Sequence, residues 1–74
     1  GSTEVDFVAE KQGTYTYFQV TADMTAQETF EREMKPLRRI RDNYEKIVLT
    51  GDRLTLGNYD GIQVKYLPDW LLEK

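Results

Sequence analysis

Three side chains early in the chain have the spacing of a hydrolytic metal site, though only the first has the type: Asp6, then Gln19 and, two positions on, Thr21. Two acids on neighbouring strands can hold a Mg²⁺ ion between them. A lysine two residues past the second acid lies on the same face, because strand side chains alternate with a period of two, and it can position or activate the attacking water. Asp6 fits the first acid. Gln19 stands where the second acid is needed, and an uncharged amide is a much weaker ligand for a hard cation. Thr21 stands where the lysine is needed and supplies no charge. Glu4 and Glu10 are the carboxylates placed to assist Asp6. The alternative to chemistry is that Asp6 and Gln19 are hydrogen-bonded polar residues of a sheet.

These residues need a hairpin to hold them. Glu4 to Glu10 is rich in Val and Phe, with Val5, Phe7 and Ala9 expected on one face. Gly13 supplies a positive φ for the turn, and Thr14 to Val20 is strand-forming, with Thr16, Phe18 and Val20 opposed to Tyr15, Tyr17, Gln19 and Thr21. Thr25 to Glu28 reads as a capping box opening a helix, in which Phe30, Met34 and Leu37 form one stripe and Glu28–Arg32 and Glu31–Lys35 form i,i+4 pairs. Pro36 interrupts it, and the helix is expected to end near Arg41. Lys46 to Thr50 is a short apolar run, the mark of a strand covered on both faces after a crossover helix. Residues 52–61 read as a loop with a brief strand at Leu54–Leu56. Ile62 to Leu67 alternates as a last strand. Pro68 opens a short helix to Leu72 whose Trp70, Leu71 and Leu72 cap the core.

The composition narrows the chemistry. In 74 residues there is no cysteine and no histidine, which removes disulfides, thiolate metal sites, cysteine nucleophiles and His-based acid–base work. Any metal held here is hard and oxygen-bound. The net charge of −3 is unlike a basic nucleic-acid-binding domain. Only Lys35, Arg38, Arg39 and Arg41 form a local basic group able to touch phosphates; its alternative is a solvated helix face balanced by Glu28, Glu31 and Glu33. Tyr15 and Tyr17 can stack on bases, dock a partner or cover a sheet face. The apolar runs are too short to span a membrane, and the lack of cysteine agrees with a cytoplasmic location. Residues 1–3 read as a tag remnant or disordered, and 4–74 as a single domain fragment.

The stretches EVDFVAEK and YFQVT, the helix running into PLRRIRDNYEKIVLT, GNYDGI and DWLL together resemble the core of the PD-(D/E)xK, or restriction-endonuclease-like, superfamily. More narrowly, they resemble the C-terminal domain that follows the AAA-type ATP-binding domain in predicted bacterial and archaeal ATPases. The resemblance implies that Asp6, Gln19 and Thr21 occupy the catalytic positions, with Asp6 as the metal ligand. It also implies that a helix and a strand preceding the hairpin are missing, so that an exposed apolar face drives self-association. The fold expected is α/β (α+β), a mixed sheet of about four strands in the order ββαββα with the long helix on one face. No phosphate-cradling loop of the type G-x-x-x-x-G-K-[ST] occurs, so ATP is expected only in a parent chain. The expected function is a non-catalytic accessory domain engaging nucleic acid or a protein partner, with no cofactor of its own. The alternatives are a Mg²⁺-dependent DNA endonuclease and a protein-interaction or oligomerisation domain.

Overall fold

The computed structural model describes residues 5–73. The expected tag remnant at residues 1–3, and Glu4, lie outside them. The order is β1 (Phe7–Lys11), β2 (Thr14–Thr21), α1 (Gln27–Arg38), β3 (Glu45–Thr50), β4 (Gly57–Tyr59), β5 (Ile62–Tyr66) and α2 (Leu67–Leu72). The strands make one mixed sheet in the order β1-β2-β3-β5-β4. The α/β class therefore stands, with one strand more than expected. The extra strand is β4, at Gly57–Tyr59 rather than Leu54–Leu56. It pairs antiparallel with β5 across the Asp60-Gly61 turn. Both turn residues have positive φ, 54° and 93°, and Asn58 Oδ1 accepts the Gly61 N–H at 2.9 Å.

Gln12 and Gly13, both with positive φ, close the β1–β2 hairpin at the Lys11–Thr14 pair. The crossover through α1 makes β3 parallel to β2, as its apolar run requires. Lys46 through Thr50 are all buried. On one face of the sheet, Met34 and Leu37 of α1 pack with Met24, Val48, Ile62 and Val64, and Phe30 meets the Tyr59 ring edge-on at 4.9 Å. On the other face, Phe18, Ile47 and Leu49 pack with Leu67 and Trp70 of the short α2. Leu71 and Leu72 do not cap this core; they are exposed, because one and a half turns of helix can turn only one side toward the sheet.

The helix entry also departs from expectation. The cap position is Ala26, with no side-chain bond, and the Thr25 hydroxyl donates to Asp23 Oδ1 at 2.8 Å. Asp23 sits closer in sequence and captures the hydroxyl that the capping box needs. Pro36 is accommodated inside the helix, which ends two residues later at Arg38. Glu31 reaches down the helix to Arg38 Nη1 at 2.7 Å instead of pairing with Lys35, and Arg32 lies 3.9 Å from Glu33 rather than bridging to Glu28.

Candidate functional site

Asp6 lies just before β1 rather than inside it. Its N–H donates to Phe18 O at 3.1 Å, while the neighbouring Phe7 is the strand partner of Phe18. Two residues of the first arm thus share one residue of the second, which is the geometry of a β-bulge. The bulge breaks the expected alternation. Val5 packs with the core under α1, whereas Phe7 stacks on Phe18 across the opposite face at 4.7 Å.

The bulge brings Asp6 to Gln19. Gln19 Oε1 accepts the Asp6 N–H at 2.7 Å, and one Asp6 carboxylate oxygen, Oδ2, accepts the Val20 N–H at 2.7 Å. Gln19 is buried, and its other end is also occupied. Nε2 donates to Glu33 O at 3.4 Å and to Glu33 Oε1 at 3.5 Å. Burial pushes the Glu33 carboxyl above its ordinary value, the nearby Asp6 charge pushes it further, and Arg32 pulls it back in part. Glu33 is the residue the motif reading missed. Its signal is present, since it falls among Phe30, Met34 and Leu37 at helical spacing and so must face the sheet.

Thr21 does not join this group. Its hydroxyl donates to Asp23 O at 3.0 Å. Glu10 is drawn to the turn, where Oε2 accepts the Gly13 N–H at 2.7 Å. Among the described residues, no three carboxylates gather as a metal-holding group. The motif positions themselves do not present a two-acid Mg²⁺ clamp: Asp6 Oδ2 accepts the Val20 N–H, and Gln19 brings no charge. The Gln19 oxygen that such a clamp needs is turned toward the Asp6 N–H, and Thr21 stands where the motif has its lysine.

The basic residues divide. Lys35, Arg38 and Arg39 line a shallow hollow of about 640 Å³ along the outer side of α1, interleaved with Glu28, Glu31 and Arg32; Arg41 is not among its walls. Two further hollows, of about 440 and 460 Å³, lie at the end of the sheet near Asp42 and beside α2. None of these three is lined by Asp6, Gln19 or Thr21.

Tyr17 is held rather than presented. Its hydroxyl donates to Asp42 Oδ2 at 2.6 Å, which raises the Tyr17 pKa and lowers that of Asp42. The nearly buried Lys46 ammonium donates to Asp42 Oδ1, Asp42 O and Tyr44 O at 3.1, 2.9 and 2.8 Å. Tyr15 meets Tyr44 edge-on at 5.2 Å.

A curated protein of Haemophilus influenzae, described as an uncharacterized protein, is 40% identical over 72 residues, spanning 97% of this chain and 17% of that protein. The chain thus corresponds to a small part of this relative. No family model matches the chain. No solved structure matches it.

Proposed function

We propose that this chain is a non-catalytic, nuclease-like accessory module of a longer protein, and that it engages protein surfaces rather than cutting nucleic acid. The observation that carries this reading is the state of Gln19. Its amide bridges the Asp6 N–H and Glu33, while the Asp6 carboxylate holds the Val20 N–H. The polar groups at the motif positions are committed to the hairpin and its helix. The small share of the H. influenzae relative that the chain matches agrees with a module within a larger protein. The resemblance to the domain following an AAA-type ATP-binding domain makes an ATPase the proposed parent, with ATP held there and no metal or nucleotide here.

A protein partner is preferred over nucleic acid because the whole chain carries −3 and the basic side of α1 is partly neutralised. Its hollow is lined by Arg32, Lys35, Arg38 and Arg39 together with Glu28 and Glu31, and Arg38 is paired with Glu31. The test is incubation with labelled single- and double-stranded DNA at low salt, with Mg²⁺ or Mn²⁺. The expected result is neither cleavage nor binding that responds to Arg38→Glu with Arg39→Glu. Cleavage that disappears in Asp6→Asn overturns the proposal in favour of a metal-dependent endonuclease. Salt-sensitive binding lost in the double arginine variant overturns the preference for a protein partner.

A further inference from the structure

We propose that β1 is a self-pairing edge, through which two copies of this chain associate by antiparallel β1–β1 pairing about a two-fold axis at Ala9. This names the partner of the module described above and rests on that reading. Three observations lead to it. First, among the described residues β1 lies at one margin of the sheet, bonded to β2 alone, and all five of its residues are exposed. Phe7 is 43% exposed and Val8 47%, so each side of the edge carries a large apolar group in contact with water. The opposite margin, β4, has only three residues and begins at Gly57 with φ 150°, which makes it a poor template.

Second, the direction of the free hydrogen-bonding groups follows from the turn. A two-residue hairpin closes on a mutually bonded pair, here Lys11–Thr14, and bonded pairs then alternate along the ladder. Lys11, Ala9 and Phe7 therefore direct their backbone groups to β2. Val8 and Glu10 direct theirs outward.

Third, few registers match these outward groups across a dyad. An axis at Val8 bonds Val8 to Val8, but its next outward pair sets Glu10 against Asp6, where the bulge has turned the Asp6 N–H to Phe18 O. An axis at Glu10 sets two Glu10 side chains of like charge directly opposite, which is unfavourable, and runs Val8 onto the turn residue Gln12. An axis at Ala9 places Val8 opposite Glu10, Ala9 opposite Ala9 and Phe7 opposite Lys11, with no like-charge pair. The smallest side chain of the strand then lies on the axis. The Lys11 stem and ammonium cover the Phe7 ring of the second copy, which is already backed by Phe18. Glu10 is held toward Gly13, which keeps its carboxylate off the facing Val8.

The strand-to-strand contact is smaller than the ~1,600 Å² of a standard stable interface, so a dimer that forms with concentration is expected. Sedimentation equilibrium on the intact chain should show the mass doubling from 8.7 kDa as protein rises from low micromolar to about 1 mM. Val8→Pro removes one outward N–H without touching the β1–β2 ladder, and Val8→Lys places a charge on the same edge; both should remain monomeric with an unchanged circular dichroism spectrum. Amide exchange should slow with concentration at Val8 and Glu10 while Phe7 and Ala9 stay protected throughout. A wild-type monomer at about 1 mM overturns the proposal, as does a dimer that persists in both folded variants. Either outcome is separable from failure of the functional reading, which depends on metal and DNA assays of the same monomeric variants.

Discussion

Gln19 shows how one amide can hold an element together. It receives from the Asp6 backbone and gives to Glu33, tying the start of β1, the middle of β2 and the inner side of α1. Replacing it with Leu keeps the volume and leaves the Asp6 N–H its bond to Phe18 O, but strips Glu33 of its donor. A loss of about 1–3 kcal/mol in urea denaturation is expected. Glu33 itself is under electrostatic load. Its carboxyl is raised in the folded chain by burial and by Asp6, so the fold favours the protonated form, and stability falls as pH rises through the folded value. Glu33→Gln should therefore raise the melting temperature at pH 7, and the gain should shrink toward nothing as the pH drops below the ordinary carboxylate range. Asp52 behaves in the opposite way. Burial opposes its ionisation, but bonds from the Met24 and Leu54 N–H groups and the Thr50 and Thr55 hydroxyls outweigh it and hold the carboxyl at about 2. A depressed folded value contributes stability above the unfolded value of about 3.9, which is lost as pH falls toward 2. Asp52→Ala should lower stability at pH 7 and flatten the acid unfolding profile between these limits. The facing of Gln19 was legible from strand alternation alone. The role of Asp52 was not, because beside its near neighbours Thr50, Leu54 and Thr55 it holds the Met24 N–H, 28 residues away, which only the folded chain brings to it.

The elements were legible where one signal was strong and uncontested. The apolar run of β3, the stripe of α1, and the Gly13 and Asp60-Gly61 turns all appear where pattern and turn chemistry place them. Misreadings occurred where two local signals competed. Asp23 took the Thr25 hydroxyl from the capping box, and a bulge at Asp6 displaced Val5 to the other face of the sheet. Strand β4 was hidden because three residues, Gly-Asn-Tyr, are too few to show alternation; its pairing with β5 creates it. Close approaches are equally invisible in sequence. At Gly51 an added Cβ would stand 2.5 Å from Ala22 O, where β3 leaves the sheet beside the end of β2. Gly51→Ala should cost about 1–3 kcal/mol, since backbone rather than a flexible side chain must yield. Met34→Ala, at the centre of the α1 contact, should cost about 2–5 kcal/mol and show as a large fall in melting temperature.

At the scale of the molecule, one face of the sheet is closed by a twelve-residue helix and the other only by a six-residue one. That asymmetry and the open β1 edge are the features on which the proposed association with other polypeptide rests. Among the described residues no helix is long and apolar enough to cross a membrane. The central claim is that Asp6 and Gln19 hold the hairpin rather than a catalytic metal. Titration of the ¹⁵N-labelled chain with Mg²⁺ and then Mn²⁺ tests it most directly. The account predicts no saturable shift or localised broadening at the amides of Asp6, Gln19, Val20 and Glu33. Saturating changes centred on those four amides, and abolished by Asp6→Asn, would contradict it.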